Sequence, residues 1–590
     1  MTDNPPPLFE TFNAKKMSPT EVAQTFVVPS SFHAIAGSDH CYIIGPRGSG
    51  KTTLLRMLHG ESLMAWTTRD AARTRRMIGY STIFLPADEM WASQTTPAMA
   101  RAAFSAQMLN SFVDTMIYRS SKVDSAGNAV HLPVEISHDQ QVKIASQCIE
   151  AWGLESVSPS FIELQHALDL FLLRLSAGAD IGNSPLGQND ALALLSFGIR
   201  AFNRVVEQPN HRWALLLDEM ELAPPEIHNE VVSFVRGGTT NLVLKLSMSP
   251  FDRYMHSYGV GKGPIPGHDF QTFYLSGQTR REIHSFTTGL WRESLRSRGL
   301  PYVPLSSALG LTIGGRNLTE NGDNGPLRVF LETMASKDSS FKEWLRLRKV
   351  NLELLDSMTY NQRSANIRKI LPLLVFRDAL LKFEKGRNPT RRQRKKSLEP
   401  FTGVGAVTSA LEGNPRWIKI AFADMLKLYD RDESAVSRGF QFDALIGLAN
   451  RFEALLRVLP TRNEAPGVSV AELVNTVATY MSAQHTGPFN PDPQNGFTVD
   501  GNVPADVLDA LVMGLYAGAF VHVRDRRSVE VLSDFRGQRF RLAYILGLRD
   551  GKEFPLRLGR DVAISRIVPK TQPDHRRRAS DTQQLDLDLG

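Results

Sequence analysis

A turn of small residues ending in a lysine, set between a strand-like and a helix-like stretch, constrains this chain more than any other feature. It is "CYIIGPRGSGKTTLLRML", from Cys41 to Leu58. The apolar start suits a short buried strand, and "KTTLLRMLHG" has helical spacing with a stop at Gly60. Between them Gly45, Pro46, Arg47, Gly48, Ser49, Gly50, Lys51 and Thr52 fit G-x-x-x-x-G-K-[ST] in full, in the strand–turn–helix context the motif requires. Glycine lets backbone N–H groups turn inward without a Cβ clash, and the next helix offers its positive end. Such a loop cradles phosphates. The expected nucleotide contacts run from Gly45 to Thr53, with Lys51 on the β- and γ-phosphates and the Thr52 hydroxyl on Mg2+. ATP and Mg2+ are the expected cofactors.

A phosphate cradle hydrolyses nothing without an acidic site on a neighbouring strand. In "HRWALLLDEMELAP", the continuous apolar run Trp213 to Leu217 suits a central parallel strand and ends in Asp218 and Glu219. Asp218 is expected to hold Mg2+ through water, and Glu219 to position or deprotonate the attacking water. Leu242 to Leu246 reads as another strand, ending in Ser247, a polar residue placed to sense the γ-phosphate; Ser249 is the second candidate. Two further strands are expected at Ser81 to Pro86 and Asp269 to Ser276. Helical segments separate them, so the fold class is α/β, a three-layer sandwich around a parallel sheet. Between Thr52 and Asp218, "AMARAAFSAQMLNSFVDTMIY", "DQQVKIASQCIEAWGL" and "SFIELQHALDLFLLRL" read as amphipathic helices, an insertion at about 95–205.

At 590 residues the chain needs more than one core. Its two cysteines, Cys41 and Cys148, can build neither a disulfide framework nor a cysteine zinc site. No secretory pattern opens the chain, and no apolar run reaches the ~20 residues that span a bilayer. A cytoplasmic protein without a membrane partner is expected. The net charge of +7 is mild, but "TRRQRKK" (390–396) and "HRRR" (575–578) concentrate it. Each is either a solvated loop or a contact for nucleic acid. The fourteen histidines include no HExxH, and no G-x-S-x-G occurs, so no second catalytic constellation stands out.

After Asp430, "FDALIGLANRFEALLRVL", "SVAELVNTVATYMSA" and "PADVLDALVMGLYAGAF" read as three helices, followed by the β-like runs "FVHVRD" and "QRFRLAYIL". Three helices and a hairpin outline a winged helix, with Arg524, Arg526, Arg527, Arg536 and Arg539 on its wing. Its candidate recognition helix carries Asp506 and Asp509 and no Lys or Arg, which favours backbone or protein contact over reading of base edges. The tail from 569 is polar and expected to be disordered. Its "QQLDLDL" is similar to short peptides that bind sliding clamps, without their terminal aromatic.

In order along the chain, "FNAKKMSPTEVAQTFVVPSSF", "IIGPRGSGKTTLLRML", "LLLDEMELAP", "LKLSMSP" and "LEGNPRWIKIA" resemble the AAA+ superfamily, most closely its origin-recognition-like branch, which borders the STAND group. The resemblance covers about 10–430 in outline. It implies a helical lid after the sheet whose arginine touches the nucleotide; "GNPR" makes that Arg416. The gaps before Asp218 and before Arg416 are longer than a minimal core of this kind needs. For an intersubunit finger the candidates are Arg253 and Arg236, either of which is otherwise a surface arginine. The expected division is a lead-in (1–30), an ATPase core (31–278), an elaborated lid with the basic loop (279–430), a winged-helix-like domain (431–568) and the tail (569–590).

What the resemblance implies for function is an ATP-dependent switch or assembly ATPase that acts with DNA, a partner effector subunit, or both, and that can form a homo-oligomer. Relatives of this branch are often the ATPase of anti-phage defence modules. The rival readings are a replication, transposition or plasmid-maintenance loader, and a slowly hydrolysing signalling scaffold.

Overall fold

The structure, a computed structural model, describes residues 16–568 except 87, 95, 157, 180–182, 252–263, 266, 312–324, 355–366, 368, 385–386, 430–434, 460–466, 525–531 and 533. Arg253, Arg526, Arg527, the 575–578 cluster and "QQLDLDL" therefore lie outside the described residues.

All five expected strands form one parallel sheet. They are β1 (Cys41–Ile44), β2 (Tyr80–Leu85), β3 (Arg212–Leu217), β4 (Leu242–Met248) and β5 (Gln271–Tyr274), in the spatial order β2-β3-β4-β1-β5. The continuous apolar runs make sense because both faces are covered. On one face Cys41, Ile43, Ala214, Leu216 and Val243 pack against Leu54, Leu55 and Leu58 of α1 (Lys51–Leu58) and against Phe32 and Ile35. This is the α/β three-layer architecture.

The expected insertion supplies the other layer. Its helices are α2 (Pro97–Ser120), α3 (His138–Trp152), α4 (Phe161–Ser176) and α5 (Ala191–Val205), followed by α6 (Pro225–Gly237). Their Phe104, Phe112, Trp152, Leu168 and Phe202 cover Tyr42, Ile44, Leu215, Leu217 and Leu246. Local signals start these helices. Thr96 accepts from the Met99 N–H just before Pro97, and Ser137 and Gln140 form a capping box. The insertion is thus a wall of the sandwich.

Beyond β5 come α7 (Arg280–Arg296), the short pair β6 (Leu381–Lys382) and β7 (Thr390–Arg391), α8 (Val404–Leu411), α9 (Pro415–Met425), α10 (Arg438–Arg457) and α11 (Val470–Thr486). One hydrophobic core runs through them from Trp291 through Phe422, Leu445 and Val477 to Leu511 and Phe540. The three expected C-terminal helices are present, the third as α12 (Ala505–Ala517). The expected hairpin is β9 (Phe520–His522) with β10 (Arg539–Leu542), but it belongs to a four-stranded sheet. The added strands are β8 (Gln494–Thr498) and β11 (Arg560–Ala563), giving the order β11-β8-β10-β9. "QNGFT" hides β8 because glycine and polar residues break the period-two alternation that announces a strand.

Three expectations about charge change in the folded chain. In the basic loop, Arg391 and Lys395 both pair with Glu553, which is 2% exposed, and Lys396 pairs with Asp378 at 2.5 Å. Most of that loop is paired internally; Arg394 and Lys396 are exposed, the latter while paired with Asp378. Arg524 is no wing residue: its guanidinium lies 3.6 Å above the Tyr274 ring and donates to the Ser276 carbonyl at 2.8 Å. Arg539 pairs with Asp561 at 2.5 Å, whereas Arg536 stays exposed. The candidate recognition helix α12 turns inward, with Leu511, Val512 and Leu515 in the core and Asp506 accepting from the Val468 N–H.

Candidate functional site

Register brings the acidic strand to the phosphate loop. β4 lies between β1 and β3, with Ile43 opposite Ser247 and Leu217 opposite Leu246. One residue further on, Asp218 and Ser247 are neighbours. The Ser247 hydroxyl donates to Asp218 Oδ1 and accepts the Glu219 N–H at 3.0 Å. The other carboxylate oxygen, Oδ2, accepts from the Thr52 hydroxyl at 2.6 Å. Sequence-distant Thr52, Asp218, Glu219 and Ser247 are thereby gathered at the carboxyl end of the sheet. Ser249 is not part of this group: its hydroxyl is bonded to the Phe251 carbonyl at 2.8 Å.

The loop itself has the shape a polyphosphate needs. Gly48 and Gly50 take φ of 82° and 94°, a left-handed backbone that side chains resist. Lys51, 6% exposed, folds back so that Nζ donates to the Gly45 carbonyl at 2.7 Å. The Ser49 hydroxyl is buried without a hydrogen-bond partner, and so is Nε of Arg416. Two orphaned donors at one glycine-rich turn are chemistry that phosphate oxygens satisfy. The residues present fit ATP, and the Thr52–Asp218 pair fits Mg2+.

Arg416 reaches this loop despite its distance in the chain. Asn414 caps α9 by accepting the Arg416 and Trp417 N–H groups at 3.1 and 3.3 Å, and Pro415 occupies the first turn. A Cβ built on Gly48 would come within 3.1 Å of the Arg416 side chain, and one on Gly50 within 3.2 Å of Pro415. These glycines therefore also make room for the start of α9. Burial, and then Arg47, pull the Arg416 pKa below its usual value, while Glu219 and Tyr516 act against them. Arg236, the rival finger candidate, is exposed at the end of α6.

Two residues of the site carried no recognisable signal in the sequence. Tyr516, on α12, accepts the Arg47 N–H at 2.7 Å through its backbone carbonyl, so the C-terminal third touches the phosphate loop directly. Gly518 completes that contact against Pro46. Glu221 is the other. Both its carboxylate oxygens are shielded and lack a side-chain hydrogen-bond partner, although the residue as a whole is half-buried. Burial pushes its pKa up to about 7, Lys51 opposes that, and Glu219 and Asp218 add to it. Only the short turn Met220–Leu222 brings it inward, and no periodicity announces such a turn.

Glu221 has a consequence for stability. Holding its proton more tightly when folded, it favours the fold fully only below its ordinary value of 4.5, and that contribution is lost as pH rises through about 7. Glu221→Gln without nucleotide should therefore unfold near the wild-type midpoint at pH 5. At pH 8 it should be more stable by about 2–3 kcal/mol, measured by denaturant titration. An equal difference at both pH values would count against an ionising buried Glu221.

A family model described as ORC-CDC6-like matches residues 7–564. Among solved structures, the chain is similar to Cdc6p from Pyrobaculum aerophilum at 10% identity, over 93% of this chain and 94% of that one, with a TM-score of 0.27. The Aeropyrum pernix ORC1 protein in complex with DNA aligns at 9% identity, over 88% and 90% of the two chains, with a TM-score of 0.24. Drosophila ORC bound to DNA aligns at 10%, over 89% and 90%, with a TM-score of 0.21. No protein of curated function matches the chain. Among the described residues no helix is long and apolar enough to cross a membrane, and no group of three or more metal-ligating side chains occurs.

Proposed function

The chain belongs to the ORC-CDC6-like family, and we propose that it is a Mg2+-dependent ATPase of AAA+ type, working as a molecular switch or assembly ATPase. The observation that supports this best is the Thr52–Asp218–Ser247 hydrogen-bonded row beside a left-handed glycine loop. In this reading Gly45 to Thr53 hold the phosphates, and Lys51 leaves the Gly45 carbonyl to meet them. Thr52 and Asp218 hold Mg2+, which when bound neutralises phosphate charge. Glu219 takes the proton from the attacking water. Ser247 keeps the acidic turn in place and lies where it can sense the γ-phosphate. Arg416, with an unpartnered Nε at Gly48, is the lid arginine.

The partner is DNA, an effector subunit or both, and assembly into a homo-oligomer is open to the same test. We take 31–278 as the ATPase core, 279–430 as the lid and 431–568 as a winged-helix-like domain. Its inward-facing α12 favours backbone or protein contacts. A bacterial anti-phage defence module in the cytoplasm is the setting we propose, by resemblance; neighbouring genes decide it against a replication, transposition or plasmid-maintenance loader. Phosphate release with and without Mg2+ and duplex DNA is the test. Mg2+-dependent turnover is expected, and its absence overturns the assignment. Turnover that DNA does not raise, at a very slow rate, marks a signalling scaffold instead.

Arg416 is the proposed link between nucleotide and partner. Its loss should keep much of the ATP affinity and abolish the difference in partner or DNA affinity between ATP-like and ADP states. That difference is expected at about 5- to 150-fold in the wild type. An Arg416→Ala chain that keeps the full difference would show the arginine to be merely structural.

A further inference from the structure

At the opposite end of β3 from Asp218 lies a pocket of about 350 Å³ lined by Arg119, Leu132, Pro133, Gln208, Asn210 and His211. The six residues of β3 separate it from the acidic site by about 23 Å at the usual strand rise. Its back wall is the last turn of α2, the insertion helix that carries Arg119. Nothing in the nucleotide site uses it.

Arg119 is 2% exposed. Its Nε donates to the Leu132 carbonyl at 2.9 Å and its Nη2 to Gln208 Oε1 at 2.8 Å. The guanidinium lies 5.3 and 5.4 Å from the Phe202 and Trp213 ring centres. Nη1 has no hydrogen-bond partner. Burial pulls the group down to about 10, so it remains a cation at neutral pH. The charged groups that act on the neighbouring imidazoles are basic: Arg119 and Arg75 on His131, Arg119 and His131 on His211. Burial holds His211 down to about 4, so its ring is neutral and bonded to the Ser81 hydroxyl at 2.9 Å.

A buried cation is ordinarily matched by a carboxylate, because desolvation is otherwise uncompensated. Here the ring faces and two neutral acceptors take part of that role, and one nitrogen is left over. The two loops that form the mouth are held in unusual backbone. Leu132 and Glu207, the latter next to Gln208, have φ of 52° and 56°. Such conformations persist in non-glycine residues only where the surroundings over-determine them. Leu132 and Pro133 give the mouth an apolar wall.

We propose that this pocket binds a small ligand with an oxyanion head, a carboxylate or a phosphate monoester, on a short apolar body. The Arg119 guanidinium holds the head: a small outward shift of the Leu132–Pro133 wall opens the shielded Nη1, and that unused nitrogen supplies the donor. The apolar wall covers the body, and the volume sits at the small end of ligand pockets.

The test uses the full chain carrying Lys51→Ala, so that the glycine loop does not take up the phosphate probe. Benzoate and phenyl phosphate are titrated by calorimetry. Saturable binding of either is expected; binding of one alone identifies the head group. Arg119→Lys keeps the charge and removes the fork, and should raise Kd at least about tenfold. Because Arg119 also bridges Leu132 and Gln208, a second variant guards against misfolding. Asn210→Trp, at an exposed rim position, blocks the mouth without touching the guanidinium and should weaken binding to the same degree. The proposal is overturned if neither probe binds saturably, or if both variants bind as the parent does.

Discussion

Glu219→Gln should bind ATP within a few-fold of the wild type and hydrolyse it about 10²- to 10⁴-fold more slowly, the usual contribution of a positioned base. The amide keeps the shape of the carboxylate but cannot accept the proton of the attacking water. The backbone around it should be undisturbed. Residue 219 sits at φ 53° and is held through its N–H by the Ser247 hydroxyl, neither of which depends on the side-chain charge. Single-turnover hydrolysis alongside equilibrium nucleotide binding separates the two effects. Wild-type turnover in the variant would remove Glu219 from the role of base and shift attention to Glu221, the other carboxylate at this turn.

Lys51→Ala should lose ATP affinity by at least about 30-fold, since truncating one partner of a buried charge pair costs on the order of 2–5 kcal/mol. The loop has a second reason to depend on this residue. Nζ ties the Gly45 carbonyl at 2.7 Å and reaches the Pro46 carbonyl at 3.5 Å, so the ammonium also pins the start of the loop. Lys51→Arg distinguishes the two roles: it keeps the charge but cannot fit the same two carbonyls. If Lys51→Ala bound ATP with unchanged affinity, the glycine loop would not be the nucleotide site.

Much of the sheet could be read in advance because three of its strands open as apolar runs, each ending in a residue with a task. Cys41–Ile44 leads into glycine, Trp213–Leu217 into Asp218, and Leu242–Leu246 into Ser247. The spatial order was not legible in this way. That Ser247 touches Asp218 depends on β4 lying between β1 and β3, a matter of non-local pairing that no local pattern encodes. Clustered charge misled for the same reason. "TRRQRKK" reads as a solvent-facing basic loop until Glu553, about 160 positions later, is found between Arg391 and Lys395. Tyr516 and Gly518 belong to the site only through tertiary packing, and β8 lacks the alternation that marks a strand.

The bond between the Arg47 N–H and the Tyr516 carbonyl has a consequence for how the protein comes into being. A ribosome adding about 5–20 residues per second needs roughly 25–90 s to travel from one of these positions to the other. Throughout that interval the glycine loop exists without the helix that covers it, and the contact closes late because its loop entropy must be met before it contributes. The nascent chain therefore carries an open phosphate loop for most of its synthesis. Messages or truncations that stop short of α12 leave the Pro46–Arg47 side of that loop permanently uncovered, however complete the sheet beneath it.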